Sequence, residues 1–223
     1  MARSNPNLLL VEGKDEQFTL PFFMDEYTVW GDDKKDWVVE IKELDGIEKL
    51  LKPGLIEAES KTPGLKAFGV ILDANDSFDS RWSRVRERCR KRAADFPNDL
   101  TSGGVIHVNA DGLRIGVWIM PDNRSRGMLE TFLSLLLIPE RVPLWDYARE
   151  SCDCASGIVG CYTPAHRDKA HIHTYLALVE PPGLSLPHSI LKRAFDARLP
   201  LAERFARWFM DLYQLTPRTT PLP

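Results

Sequence analysis

The stretch LLLVEGKDEQF, from Leu8 to Phe18, decides how the chain folds. Its opening run of apolar residues is typical of a strand buried on both faces of a parallel sheet, and the run ends directly at Glu12 and Gly13. Gly13 permits a tight turn into the amphipathic stretch that follows, so we expect Glu12 exposed at the tip of the strand. The sequence therefore predicts a strand that ends in a carboxylate and leads into a helix.

The same alternation continues through the first half of the chain. WVVEIKEL begins a second strand at Trp37, LKAFGVILDAN contains a third before Asn75, and helical patterns separate and follow these strands. This order is typical of a mainly parallel sheet flanked by helices. Two later apolar runs meet around Asp111 and Gly112, which predicts an antiparallel hairpin at the edge of the sheet.

Beyond Gly127 the hydrophobic period becomes helical, and proline and glycine residues separate the successive segments. We therefore divide the chain into an α/β core over residues 1–125, a helical portion over residues 126–215 that packs on or extends this core, and a loose tail over residues 216–223. The predicted fold class is α/β with a C-terminal helical portion.

Composition excludes several classes of protein. The chain has 223 residues, a formal net charge of -3 at pH 7, and no apolar run near the roughly 20 residues that a membrane-spanning helix requires. The apolar stretch near the N-terminus is too short for a secretory signal. We therefore expect a cytoplasmic protein without a membrane partner, in which any nucleic acid is bound by a local basic patch.

Polar side chains follow two of the predicted parallel strands. The first strand ends at Glu12 and the third at Asp73, with Asn75 and Asp76 beside it. The carboxyl ends of parallel strands share one edge of a sheet, where ligands of α/β proteins collect. Carboxylate and amide oxygens suit Mg²⁺ or Mn²⁺, so the sequence predicts a magnesium or manganese site at this edge. For each residue alone, the alternative is a helix cap or a turn.

These residues resemble the Toprim-like proteins that are related to the nuclease domains of OLD-family proteins. The resemblance rests on LLLVEGKDEQF, GVILDAND with the RW that follows, GVWIMPDN and GMLETFL, and it extends from about residue 8 to about residue 213. It implies a Toprim-like fold and Mg²⁺-dependent phosphodiester chemistry, with Glu12 and Asp73 as catalytic metal ligands. The second aspartate of the family's Asp-x-Asp pattern is Asn75 here, and Asp76 follows it.

The resemblance also implies two functional residues in the helical half. Glu130, in GMLETFL, corresponds to a downstream acidic metal ligand. Lys169, in RDKAHIHTYLA, corresponds to a catalytic lysine that stabilises charge in the transition state. The alternatives are a first-turn carboxylate facing the helix dipole for Glu130 and a helix-surface lysine for Lys169.

A charged helix after Asp76 is predicted to present a basic face. Along it, Arg81, Arg84, Arg88 and Arg92 recur at helical spacing, opposite a stripe of apolar residues. Such a row can follow a phosphate backbone and bind nucleic acid, either DNA or RNA. The alternative is a solvated face that is paired with nearby acidic residues.

The function that we predict from the sequence is magnesium- or manganese-dependent hydrolysis of nucleic acid by a nuclease-type reaction. The alternative is a non-catalytic Toprim-like module that binds or regulates together with a partner such as an ATPase, a partner that the resemblance alone implies. Asn75 motivates this alternative, because an amide supplies a neutral oxygen where the family pattern supplies a charge.

Overall fold

A computed structural model of the chain describes residues 4–219. Its sheet contains the strands β1 (Asn7–Val11), β2 (Glu40–Glu43), β3 (Ala67–Asp73), β4 (Val105–Val108) and β5 (Arg114–Met120). The order across the sheet is β2-β1-β3-β5-β4. The first three neighbouring pairs are parallel, and β4 alone runs antiparallel to β5 within the described sheet.

Helices cover both faces of this sheet. They are α1 (Lys14–Asp25), α2 (Ile47–Leu50), α3 (Leu55–Ser60), α4 (Phe78–Arg90), α5 (Leu129–Ser134), α6 (Val142–Ala155), α7 (Arg167–Leu178), α8 (Leu186–Leu191) and α9 (Pro200–Tyr213). Successive side chains of β1 point to opposite faces. Leu9 and Val11 therefore join a hydrophobic cluster with α1 and the C-terminal helices, whereas Leu8 and Leu10 join a second cluster with α2, α3 and α4.

The α/β class, the mainly parallel sheet and the flanking helices are confirmed. The edge hairpin also forms, between β4 and β5. Its turn is closed by Asn109, whose Oδ1 accepts hydrogen bonds of 3.0 Å from the backbone N–H groups of Asp111 and Leu113. Gly112 has a φ of 79°, a left-handed conformation that glycine adopts without steric cost.

Two helical segments differ from the sequence pattern. GIEKLLKPGLIEAE reads as one helix, but Pro53 and Gly54 divide it into α2 and α3. Proline lacks the N–H that a continuous helix needs, and Gly54 has a φ of 84°. The sequence pattern did not reveal α6, because Ala148 and Cys152 are the buried residues of this helix and form too narrow an apolar stripe.

The C-terminal helix α9 packs directly on the sheet. A Cβ atom added to Gly116 of β5 would lie 2.6 Å from Leu212 Cδ2, so the helix approaches the strand as closely as a glycine permits. The hydroxyl of Tyr213 donates a buried hydrogen bond of 2.9 Å to the carbonyl oxygen of Leu8. The last helix is thereby attached to the first strand, and the predicted helical portion contacts the α/β core.

The first part of the predicted loose tail also contacts the body of the protein. Thr28 Oγ1 donates a hydrogen bond of 2.8 Å to the carbonyl oxygen of Thr216. Arg218 Nε donates one of 2.7 Å to the carbonyl oxygen of Asp25. The remaining tail residues, 220–223, lie outside the described residues. Between residues 4 and 219, none of the helices is long and apolar enough to cross a membrane.

The close approach of α9 makes a testable prediction. We expect Gly69→Ala to lower the free energy of unfolding by about 1–3 kcal/mol, because an extra carbon is forced into a packed core. That carbon would meet the hydroxyl of Tyr213 and a methyl group of Leu9. Chemical denaturation measures the difference. Gly157→Ala is the matched control, since nothing lies within 4 Å of the carbon that it adds, and an equal loss in both variants would contradict this packing.

Candidate functional site

Strands β1 and β3 end side by side and bring two predicted site residues to the same edge of the sheet. The strands are paired in parallel, with Leu10 opposite Val70. Just beyond this pair, Glu12 Oε1 accepts a hydrogen bond of 2.8 Å from the backbone N–H of Asp73. The structure therefore places Glu12 and Asp73 in direct contact.

The start of α5 lies against the same edge. Asp73 Oδ1 accepts a hydrogen bond of 3.1 Å from the backbone N–H of Leu129, the first residue of α5. The next residue, Glu130, is only 2% exposed. The helical half of the chain thus contributes a buried carboxylate next to the strand ends.

Lys169 of α7 reaches this carboxylate from the other side. Its Nζ lies 2.9 Å from Asp15 Oδ2 and 3.2 Å from Glu130 Oε1. The contact with Glu130 is an ion pair, and apart from this ammonium group Glu130 Oε1 has no hydrogen-bond partner within residues 4–219. Among the described residues, this buried oxygen therefore depends on the Lys169 ammonium group for its pairing.

Glu16 is a further carboxylate of the site, and the sequence analysis did not include it. It is 6% exposed, and its Oε2 accepts a hydrogen bond of 3.0 Å from the backbone N–H of Gly13. Gly13 itself has extended backbone, and the chain bends at Glu12 and Gly13 directly before α1 begins at Lys14. A Cβ atom at Gly13 would lie 3.3 Å from Glu16 Oε2, so glycine leaves room for the buried carboxylate.

We call Glu12, Glu16, Asp73 and Glu130 the carboxylate cluster. Burial, together with the charges of Glu130 and Glu12, raises the pKa of Glu16 from 4.5 to about 7. Burial raises the pKa of Asp73 well above its usual value, and the charge of Glu16 is the next cause. The pKa shifts show that these carboxylates are close enough to repel one another.

The charge of Lys169 only partly offsets this repulsion. Burial opposes the charge of its ammonium group, but Glu130 and Asp15 outweigh this effect and raise the pKa of Lys169 above its usual value. The lysine is therefore charged at neutral pH. One ammonium group beside several buried carboxylates leaves an excess of negative charge, which a hard divalent cation would neutralise.

The donor set fits such a cation, although it is not arranged as a finished binding site. Across the described residues, no three His, Cys, Asp or Glu side chains are grouped closely enough to hold one metal ion. Glu12 and Asp73 each accept a backbone hydrogen bond. The buried oxygen of Glu130, which the Lys169 ammonium group alone pairs within residues 4–219, is the observation that favours a cation here.

Two predicted ligands, Asn75 and Asp76, form no side-chain hydrogen bond or ion pair with the carboxylate cluster among the described residues. The backbone of Asn75 exchanges hydrogen bonds of 2.8 Å and 2.9 Å with Gly127. Its φ of 49° is a left-handed conformation that asparagine tolerates better than most residues. Asp76 is exposed and makes no hydrogen bond or ion pair with residues 4–219. Their role as metal ligands stays a prediction.

Three of the four arginines of the predicted basic face have partners. Arg84 contacts Glu48 through two hydrogen bonds of 3.0 Å, Arg88 contacts Glu87 at 2.9 Å, and Arg92 contacts Asp111 at 2.6 Å. These pairs favour the alternative of a solvated, paired face. Arg81 differs, because its guanidinium group makes no hydrogen bond or ion pair within the described chain. Burial raises the pKa of Glu12, and the charge of Arg81 opposes this shift.

A family described as "Protein of unknown function (DUF3226)" matches residues 6–214 of the chain. The chain belongs to this family. The DUF3226 match includes the carboxylate cluster, Lys169 and α9. No curated protein and no solved structure matches the chain. The function of this DUF3226 protein is therefore argued from its own site.

The raised pKa of Glu16 makes the stability of the DUF3226 protein depend on pH. A carboxyl group with a raised folded-state pKa contributes stability that is fully present below its unfolded pKa and is lost as the pH rises through the folded pKa. The window here runs from 4.5 to about 7, and the loss is up to about 3 kcal/mol. We expect Glu16→Gln to abolish this loss, because glutamine can accept the Gly13 hydrogen bond but cannot ionise.

Denaturation of both proteins at about pH 5 and about pH 8, with a metal chelator present, measures the effect. Glu57→Gln is the control, because Glu57 is exposed and its pKa is lowered by a hydrogen bond from Lys61. A Glu16→Gln protein that is no more stable than wild type at the higher pH would contradict the mutual repulsion of the cluster.

Proposed function

We propose that the chain is a Toprim-like nuclease that hydrolyses phosphodiester bonds of DNA or RNA with Mg²⁺ or Mn²⁺. The observation that carries this proposal is the carboxylate cluster at the carboxyl edge of a parallel sheet, with the buried Glu130 Oε1 paired, among the described residues, to the ammonium group of Lys169 alone. The acidic residues at the ends of β1 and β3 are those for which the Toprim resemblance implies metal binding.

The cluster supplies the donors that such a cation requires. Glu12, Glu16, Asp73 and Glu130 all offer carboxylate oxygens, which suit Mg²⁺ and Mn²⁺. When bound, the cation supplies polarisation of the phosphate and activation of water. Burial raises the pKa values of Glu16 and Asp73, which favours protonation of these groups in the metal-free protein. Cation binding is therefore expected to release protons.

Lys169 supports the reaction through a fixed positive charge. Its ammonium group is held between Asp15 and Glu130, which orients it and keeps it protonated. Hydrolysis of a phosphodiester places additional negative charge on the phosphate oxygens in the transition state. A preoriented cation beside those oxygens stabilises this charge, and its effect is larger where water is partly excluded.

Of the predicted basic row, Arg81 is the residue that we propose for phosphate binding. Arg84, Arg88 and Arg92 would have to exchange their contacts with acidic groups for contacts with phosphates. The side chain of Arg81 has no contact with an acidic group to give up, and its charge acts on Glu12 at the edge of the site.

A second candidate function is a non-catalytic Toprim-like module that acts with a partner such as an ATPase. It is favoured by Asn75, whose neutral amide replaces a carboxylate of the family pattern, and by the lack of a finished three-ligand group in the part of the chain that is described. Under this candidate, the isolated chain binds Mg²⁺ weakly and does not hydrolyse nucleic acid.

Metal titration and a nuclease assay separate the two functions. We expect wild type to bind Mg²⁺ or Mn²⁺, and we expect Glu12→Gln to abolish metal binding and to lower hydrolysis by at least about 100-fold, since even the outer contacts of metal sites contribute about 10–100-fold. Asp79→Asn, which removes an exposed carboxylate in the first turn of α4, is the control and should retain activity. Hydrolysis at the wild-type rate in Glu12→Gln would overturn the proposal.

The missing aspartate allows a sharper test. We expect Asn75→Asp to raise the affinity for Mg²⁺ or Mn²⁺ and any hydrolysis, because ligand charge is one of the main determinants of affinity for these cations. Folding should change little, since aspartate also tolerates the left-handed backbone at this position.

The competing account is that Asp76 supplies the charge of the family's second aspartate. Asp76→Ala would then abolish metal binding, and Asn75→Asp would add a like charge that leaves affinity unchanged or lowers it. Calorimetric titration of both variants decides between the accounts, and an affinity for Asn75→Asp no higher than that of wild type would count against ours.

A further inference from the structure

The loop between β5 and α5, residues 121–127, begins and ends beside Asp73. At its start, Met120 is the parallel partner of Asp73 in the sheet. At its end, Gly127 exchanges two backbone hydrogen bonds, of 2.8 Å and 2.9 Å, with Asn75. Both ends of the loop are thus attached to the segment that carries a carboxylate of the site.

The shape of this loop is set by its own side chains. Asp122 Oδ1 accepts hydrogen bonds of 3.0 Å from the N–H of Arg124 and 2.7 Å from the N–H of Ser125, and its Oδ2 accepts one of 2.9 Å from Ser125 Oγ. Asn123 is fully buried, and its Oδ1 accepts a hydrogen bond of 2.7 Å from the N–H of Ile119. The loop therefore has a defined conformation rather than a solvated, variable one.

This conformation leaves two arginines, Arg124 and Arg126, exposed to solvent. Neither guanidinium group makes a hydrogen bond or an ion pair with any residue from 4 to 219. Arg126 directly precedes Gly127, so its backbone lies one residue from the contact with Asn75 at the edge of the site. The charges of Arg124 and Arg126 are thus available to a ligand, unlike the charge of Arg84, which Glu48 neutralises.

We propose that the loop of residues 121–127 is a binding element for the backbone of a nucleic acid, in which Arg124 and Arg126 contact phosphates beside the carboxylate cluster. The inference rests on the proposed function and names the residues that position its substrate. The cluster repels a phosphodiester, so a substrate needs positive charge close to the cluster but outside it. Two guanidinium groups on a loop of fixed shape offer two phosphate contacts, which a polymer with regularly spaced phosphates can fill at once.

Fluorescence anisotropy with labelled DNA and RNA oligonucleotides tests this role, in the presence of a metal chelator and over a range of salt concentrations. The double variant Arg124→Ser/Arg126→Ser should bind more weakly and should lower the slope of log affinity against log salt by about two, about one for each lost phosphate contact. The matched control is Arg84→Ser/Arg92→Ser, which removes the same formal charge from arginines that are already paired. Its slope should remain close to that of wild type.

Thermal denaturation shows whether the loop variant is folded, and both replaced side chains are exposed. An unchanged salt slope in the loop variant, with nucleic acid bound by wild type, would overturn the inference and leave the nuclease proposal intact. If the loop variant has a lowered slope but wild type binds no metal and hydrolyses no nucleic acid, the inference about the loop is upheld and the nuclease proposal is overturned. A wild-type protein that binds no nucleic acid at low salt would overturn both.

Discussion

The constraint on which this structure depends is the burial of like charges at one edge of the sheet. Folding buries Glu16 and Glu130 and partly buries Glu12 and Asp73, and the ammonium group of Lys169 offsets their charges only in part. This arrangement is unfavourable for stability, so the hydrophobic clusters on the two faces of the sheet must compensate for it. The group of side chains comes from the ends of β1 and β3 and from α1 and α5, and it lowers the stability of the fold. Such a group is typical of a functional site.

The sequence identified the part of this site that depends on local rules. Glu12 and Asp73 each follow a continuous apolar run, and the carboxyl ends of parallel strands always share an edge, so their proximity could be predicted. Glu16 could not be recognised, because a buried carboxylate in the first turn of a helix has the same pattern as an exposed one. For Glu130 and Lys169, only the family resemblance distinguished them from ordinary residues of a helix surface.

Fold class was predictable for the same reason, because periodicity is a local property. Partners distant in sequence were not predictable. The row of arginines along and just after α4 has the spacing of a phosphate-binding face, yet Arg84 pairs with Glu48 on α2 and Arg92 with Asp111 in the edge hairpin. Both partners lie outside α4, so helical periodicity contains no information about them. Arg124 was overlooked for the converse reason, since a short loop without periodicity gives no sign of its distance from the site.

The hydrogen bond from Tyr213 to Leu8 can form only after α9 has been synthesised. The ribosome releases β1 first, and the face of β3 and β5 that α9 covers stays open until the chain has been made to the end of that helix. Lys169 likewise reaches Glu130 only after α7 has been made. A nascent chain that ends before α7 therefore carries acidic strand ends without their lysine and an uncovered apolar sheet, which favours aggregation or capture by chaperones.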